Sequence, residues 1–189
     1  MIKSARLWPT GALLLALALS GCTGQAAPEP AESTSYRLVE DLCERLEHAW
    51  ITEFTGAPVT YKSDYPGRET TRRCSAGSWS ADKRKLISVQ VTTSTVGGIK
   101  PQPAPAEPLD GVGDQAYVYY GEPLTHVSEL LGGETTNRMD RLLAAQGSAN
   151  VMLYLTISAP SVPDDAAVQA VLTEYGKDVF ALMAESPNP

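Results

Sequence analysis

The sequence has few of the residues that hold metals or bind nucleic acids. Its only histidines are His48 and His126, it has three cysteines, and no Cys-x-x-Cys pair occurs. Because a structural zinc site needs four ligands at close spacing, we expect no metal centre and no cofactor. Basic residues are also scarce, since 15 lysines and arginines stand against 22 acids. The net charge of −7 makes the chain a poor candidate for binding nucleic acids or anionic lipid surfaces.

The motifs of two hydrolase classes are incomplete. The Gly-x-Ser-x-Gly sequence of the α/β-hydrolases is absent. Ser80-Ala81-Asp82-Lys83 fits the Ser-x-x-Lys of penicillin-binding enzymes, but their Lys-Thr-Gly is missing, so we expect a turn. We therefore predict a protein without catalytic residues. The alternative is a small hydrolase directed at cell-wall material, with His48 or His126 paired to one of many serines.

Long apolar runs are missing as well. A transmembrane helix needs about 20 consecutive apolar residues, and the apolar core of the N-terminal segment, residues 11–19, is about half that length. This core follows Lys3 and Arg6 and ends at Leu19-Ser20-Gly21-Cys22. A positive start, an apolar core and a small-residue cleavage site are typical of a secretory leader. The final four residues resemble a bacterial lipobox.

The lipobox predicts where the protein lies. Residues 1–21 would be removed as a lipoprotein signal peptide, and Cys22 would carry acyl chains, palmitate among them. Two or more such chains hold a protein stably in a bilayer. We therefore predict a protein anchored by lipid to the cell membrane, on its extracytoplasmic face. An ordinary secretory signal without lipid and an uncleaved anchor are the alternatives.

The remaining chain is long enough for one domain. Removal of residues 1–21 from the 189 leaves 168, and it takes the net charge from −7 to −9 because the leader holds two cations and no acid. Residues 22–35 are mostly Ala, Pro, Glu, Ser and Thr, a composition that predicts a disordered tether. We expect a single α+β domain over 36–184 and a flexible C-terminus over 185–189.

Two cysteines remain when Cys22 is assigned to lipid. An oxidising compartment then favours a disulfide between Cys43 and Cys74. The bond would close a loop of some thirty residues, for which the chain-entropy model gives about 3–4 kcal/mol.

Hydrophobic periodicity predicts two helices around a sheet. Val39, Leu42 and Leu46 recur at helical spacing in residues 36–50 and place Cys43 on the inward face, and a second helix follows Pro163. Residues 135–146 fit either a strand or a helix. We expect an antiparallel sheet of about five or six strands with both helices on one face. The predicted strands are 58–63, 70–80, 85–96, 115–120, 139–145 and 150–158.

One aromatic strand is a candidate binding surface. In Tyr117-Val118-Tyr119-Tyr120, alternation puts Tyr117 and Tyr119 on the same face. An exposed ring there would stack on a sugar or on a partner's side chain, whereas buried packing is the alternative. The proline-containing segment 97–113 before this strand is predicted to be an extended surface loop.

Four further features occur together: the lipobox, Glu40-Asp41-Leu42-Cys43, the spacing from Cys74 to Trp79, and Gly111-Val112-Gly113-Asp114-Gln115-Ala116. In this combination the chain resembles small actinobacterial cell-envelope lipoproteins grouped as a domain of unknown function. The resemblance covers residues 36–184, with Leu42 standing where a proline is common and Trp79 further from its cysteine than usual. It implies an extracytoplasmic envelope protein. The resemblance adds no mechanism. Because no catalytic constellation is recognisable in the sequence, we predict a binding or accessory module for an envelope protein, a glycan or an apolar ligand.

Overall fold

The structure is a computed structural model that describes residues 34–65, 69–96 and 105–185. The predicted leader, Cys22 and most of the predicted tether lie outside these residues. The described elements, in chain order, are α1 (Leu42–Arg45), α2 (Ala49–Thr55), β1 (Tyr61–Tyr65), β2 (Thr71–Trp79), β3 (Leu86–Ser94), β4 (Glu107–Pro108), β5 (Gln115–Tyr119), β6 (Leu124–Ser128), β7 (Gly133–Gln146), β8 (Ala149–Ala159) and α3 (Asp165–Glu185).

The strands of the described residues form one antiparallel sheet of eight, in the order β1-β2-β3-β8-β7-β5-β4. The eighth strand, β6, also pairs with β7, because β7 is long enough to pair with β5 over one half and β6 over the other. The prediction of five or six strands was therefore too low. It missed β4, which has only two residues, and β6, which is exposed along most of its length and shows no buried face.

The core lies on one face of the sheet. Ile87, Val89 and Val91 of β3 are fully or almost fully buried, and they sit directly opposite Ile157, Leu155 and Leu153 of β8. Their polar neighbours point the other way, the alternation expected of a sheet with one covered face. Helix α3 packs on β7 and β8, while α1 and α2 pack on the β1, β2 and β3 side. The predicted arrangement of α and β layers is thus present.

The first predicted helix is wrong in detail. Residues 36–41 are not helical, and α1 and α2 are short helices separated at residues 46–48. The break turns His48 into the core, where its Nε2 lies 3.2 Å from the Cys43 carbonyl oxygen and its Nδ1 lies 3.3 Å from the Tyr175 hydroxyl. Val39, Leu42 and Leu46 are nevertheless buried, as predicted. The apolar spacing therefore marked the buried residues correctly but not the backbone that buries them.

Residues 135–146 belong to a strand. They lie in β7, with Leu142 and Ala144 buried against the core and Met139 and Arg141 on the opposite face. Pairing on both edges, to β8 and to β5 with β6, supplies backbone hydrogen bonds that an isolated segment cannot make. The helical spacing of Met139, Leu142 and Leu143 was coincidental.

A tight turn leads into β5 and depends on Gly113. Its φ is +65°, and a Cβ atom at this position would collide with the backbone carbonyl oxygen of Ala145. The neighbouring Asp114 N–H donates to that same oxygen at 2.8 Å, and the Asp114 carboxylate accepts from Gly147 N–H at 2.8 Å. Glycine is required here because both the backbone angle and the close approach exclude a side chain.

We expect Gly113→Ala to lower the free energy of unfolding by at least about 2 kcal/mol, from left-handed backbone strain plus the clash with Ala145. Urea denaturation would measure the loss. Gly111→Ala is the matched control, since Gly111 has φ +80° but open space around it, and it should cost only the backbone strain of about 1–2 kcal/mol. Equal losses in the two variants would contradict the steric argument.

Candidate functional site

The face of the sheet opposite the helices, called the open face below, carries the candidate site. Strand register places five of its side chains in one row across the sheet: Ser75, Gln90, Tyr154, Arg141 and Tyr119 occupy facing positions on β2, β3, β8, β7 and β5. Directly opposed positions have Cβ atoms about 4.5–5.5 Å apart, so these side chains are neighbours. Five strands from different parts of the chain thus contribute to one surface that includes Tyr119.

A shallow concavity of about 500 Å³ lies on the open face. This volume falls within the ~300–1,000 Å³ typical of small-ligand sites. Its lining mixes two tyrosines and two methionines with hydroxyl groups, one amide and one guanidinium, and Gln90 Nε2 donates to Ser75 Oγ at 3.3 Å. The lining residues are Tyr61, Arg73, Ser75, Ser88, Val89, Gln90, Met139, Met152, Tyr154 and Thr156.

The open face is free of acids although the protein is acidic overall. In the described strands, every position that shares this face is uncharged or basic, whereas the whole chain has 22 Asp and Glu residues. Its cations are Arg73, which is exposed, and Arg141, which is half-buried. Arg73 forms no ion pair among the described residues. The face is therefore positive within a negative protein.

Tyr119 and Arg141 form a stacked pair at one side of the row. The Arg141 Cζ lies 4.0 Å from the centre of the Tyr119 ring and 6.0 Å from that of Tyr154. Such cation–π contact holds the guanidinium in place. The Tyr119 hydroxyl and Arg141 Nε are buried and have no hydrogen-bond partner in the part of the chain that the structure describes. A buried polar group without a hydrogen-bond partner lowers the free energy of unfolding by about 1–3 kcal/mol.

The two tyrosines singled out by the sequence both lie on this face. Tyr117 and Tyr119 are half-buried, and the Tyr117 hydroxyl accepts a hydrogen bond from Gln115 Nε2 at 2.9 Å. Sequence reasoning missed Arg73, Gln90 and Tyr154, which line the concavity itself. Alternation in β2, β3 and β8 was a usable signal for their outward direction, but it did not say that these strands are neighbours.

Tyr61 lies flat against the sheet because Gly77 has no side chain. A Cβ atom on Gly77 would come within 2.5 Å of the Tyr61 hydroxyl oxygen and 2.6 Å of its ring. The two residues face each other across β1 and β2, and Tyr61 remains 42% exposed. Glycine in a strand is typical of such close approach. One wall of the concavity is therefore an aromatic ring laid across the backbone.

The Cys43–Cys74 disulfide is confirmed. It joins α1 to β2 across a sequence separation of 31, with both residues fully buried in the core. Asp64 Oδ1 accepts a hydrogen bond from Cys43 N–H at 2.9 Å, so this carboxylate adjoins the bond. Asp64 and the two cysteines are the one group of close potential metal ligands among the described residues. The sulfurs are bonded to each other and do not provide the thiolates that a metal needs.

The candidate hydrolase residues lie apart from one another in the described structure. His48 is buried between the Cys43 carbonyl and Tyr175, whereas His126 is exposed on β6. Ser80 to Lys83 form the predicted turn, in which Ser80 Oγ donates to Asp82 and accepts from Lys85 N–H at 2.9 Å. No described contact joins either histidine to a serine.

The contacts of His48 make stability depend on pH. Burial lowers the pKa of His48, although its hydrogen bond to the Cys43 carbonyl opposes the shift. The folded state therefore favours the neutral ring, so stability is fully present above the pKa of about 6.5 in the unfolded chain and is lost as pH falls below it.

We expect the free energy of unfolding, measured with urea between pH 7.5 and pH 5, to fall by up to about 1.4 kcal/mol per pH unit from this group. His48→Gln should remove that slope. His126→Gln, at an exposed position, is the control and should leave it unchanged. An unaltered slope in His48→Gln would assign the acid sensitivity to other groups.

Among the described residues, no helix combines the length and apolar character needed to cross a bilayer. No family model, curated protein or solved structure matches this chain.

Proposed function

We propose that the chain is an exported, lipid-anchored binding module that holds a component of the cell envelope against the open face of its sheet. The observation that carries this proposal is a concave face, rich in aromatic and hydrogen-bonding groups and without an acid at its described strand positions, on a protein of net charge −7. Surfaces that combine aromatic and polar groups in a preformed depression are typical of ligand sites.

The proposed export and lipid anchoring rest on the sequence. Leu19-Ser20-Gly21-Cys22 ends an apolar leader, and the residues that follow have the composition of a tether. The buried Cys43–Cys74 disulfide supports an oxidising compartment, because such bonds persist mainly in exported proteins. An anchored module with a tether presents its domain to envelope components close to the membrane.

The rigidity of the open face supports binding. Its central residues stand on β2, β3, β8 and β7, each of which is paired on both edges. Side chains on paired strands keep their positions, so the loss of conformational freedom on binding is small. A binding site made of flexible loops, in contrast, would lose more conformational freedom when a ligand binds.

The anchor is tested by Cys22→Ala. The variant is expected to leave the membrane fraction or to accumulate with its leader uncleaved, because the acylated residue is gone. Fractionation and intact mass would record both outcomes. Thr23→Ala, next to the same site, is the control and should be processed and retained normally. Retention of a normally processed Cys22→Ala protein would overturn the anchor.

The open face is tested by a photo-crosslinking residue at Met139 in the full-length protein in cells. Met139 is 58% exposed and lines the concavity, so a crosslinked adduct is expected there. Ala170 is the matched control, since it is exposed on α3, which covers the opposite face. Adducts should form when the crosslinking residue is at position 139 and not when it is at position 170. The yield of adducts from position 139 should fall in the Tyr154→Ala variant. Equal crosslinking from both positions, or none from Met139, would contradict the proposal.

A further inference from the structure

We propose that the open face binds an acidic glycan, an oligosaccharide with carboxylate groups on its sugar rings. This inference rests on the proposed function and names the ligand class of the same site. Three features of the concavity carry it: flat aromatic rings, neutral hydrogen-bonding groups between them, and an unopposed guanidinium.

The aromatic rings provide stacking surfaces. Tyr61 lies across the backbone at Gly77 and is 42% exposed, and Tyr154 stands in the centre of the face with Met139 and Met152 beside it. The face of an aromatic ring carries partial negative charge, which attracts the polarised C–H groups on the flat side of a sugar ring. A row of such rings suits a chain of sugars.

The polar groups between the rings match sugar hydroxyls. Ser75, Ser88 and Thr156 present hydroxyls, and Gln90 presents an amide whose Nε2 lies 3.3 Å from Ser75 Oγ. Hydroxyl and amide groups both donate and accept hydrogen bonds, as do the hydroxyls of a sugar. An apolar ligand would cover the Ser88 and Thr156 hydroxyls without offering them a hydrogen-bond partner, which disfavours it.

The charge of the face selects an acidic ligand over a neutral one. Arg73 is exposed at the concavity and has no ion pair among the described residues, and the described strand positions of this face include no carboxylate that would repel an anion. A guanidinium binds a carboxylate through two parallel hydrogen bonds. Arg141, stacked on Tyr119 in the adjoining row position, adds a second positive charge nearby.

A peptide fits this surface less well. Extended peptides bind sheets by pairing with a free strand edge. Most residues that line the concavity stand on β2, β3, β8 and β7, whose edges are already paired, and Tyr61 alone stands on the edge strand β1. Peptide binding is therefore an outcome of the test that would count against the glycan.

The test is calorimetric titration of the mature lipid-anchored protein in detergent micelles. The acidic probe is a hexasaccharide of alternating glucuronate and N-acetylglucosamine, and the neutral probe is a hexamer of N-acetylglucosamine. We expect at least about tenfold tighter binding of the acidic probe, the equivalent of one charge-assisted contact. Arg73→Gln should remove that preference by weakening the acidic probe far more than the neutral one, and Tyr154→Ala should weaken both probes.

Two controls keep the result specific. Arg84→Gln removes an exposed positive charge from the segment before β3 and should change neither affinity by more than about twofold, because Arg84 is not among the residues that line the concavity. Arg73→Lys keeps the charge but lacks the planar fork, and it should recover only part of the preference.

Four outcomes would overturn the inference: no binding of either hexasaccharide, equal affinity for both, equal losses in Arg73→Gln and Arg84→Gln, or tighter binding of a glutamate-rich peptide than of the acidic probe. The crosslinking experiment at Met139 separates these from failure of the proposed function. Adducts at Met139 without glycan binding would retain the open face as a binding surface and reject only the ligand class.

Discussion

Replacing Arg138 with alanine is expected to lower the free energy of unfolding by about 3–5 kcal/mol. Arg138 is 4% exposed and Asp140 is fully buried, and Arg138 Nε lies 2.9 Å from both carboxylate oxygens of Asp140. The same guanidinium donates to the Pro163 carbonyl at 3.1 Å and to Asp165 at the start of α3. Without Arg138, Asp140 would be a buried charge whose remaining described hydrogen bond comes from Gly121 N–H.

Urea denaturation would measure this loss. Two further variants test whether the loss comes from leaving the buried Asp140 without its partner. Arg45→Ala removes a surface pair with Glu185, whose charged atoms are 3.9 Å apart, and should cost less than about 1 kcal/mol. Arg138→Met combined with Asp140→Leu removes both charges and should recover most of the stability, because apolar groups of similar volume replace a buried pair with little loss. A loss below 1 kcal/mol for Arg138→Ala would mean that Asp140 reaches water or becomes protonated without cost.

The second large effect is expected from the disulfide. Cys43→Ala with Cys74→Ala should lower the free energy of unfolding by about 3–4 kcal/mol, because the unfolded chain regains the freedom of a loop that the bond closes over a separation of 31. Both cysteines are fully buried between α1 and β2, so removal of the sulfurs also leaves a small unfilled volume. Thermal unfolding of the exported protein would record the change.

Reduction provides an independent measurement of the same bond. A thiol reductant should shift the wild-type midpoint towards that of the double variant and leave the double variant itself unchanged. Intact mass should rise by two hydrogens on reduction of the wild type. Free thiols at both Cys43 and Cys74 in protein isolated from outside the cytoplasm would refute the bond.

The strands with a clear two-residue alternation were predictable. Residues 85–96 and 150–158 correspond to β3 and β8, since Ile87, Val89 and Val91 alternate with polar residues as Leu153 and Leu155 do. The same alternation predicted that the intervening polar side chains of β3 and β8 point away from the core. In contrast, β6 could not be predicted, because its partner β7 supplies the pairing that holds it and its own residues are nearly all exposed.

The candidate site was predictable only at its edge. The sequence of β5 placed Tyr117 and Tyr119 together because they are two residues apart on one strand. The residues that line the concavity come from strands far apart in the chain, such as Arg73 on β2 and Tyr154 on β8, with β3 between them. Alternation determines which way a side chain points, but it contains no information on which strands are neighbours.

The amino-acid sequence by itself determined which residues are buried in the main strands and in α3, and that acids outnumber basic residues by 22 to 15. These are local properties, set by the spacing and chemistry of nearby residues. Only the tertiary structure decided that α1 and α2 are separate, that residues 133–146 are a strand, and that five strands contribute to one row of polar and aromatic side chains on the open face. Contacts between residues distant in the chain supply the free energy for those choices, and local propensity is too weak to oppose them.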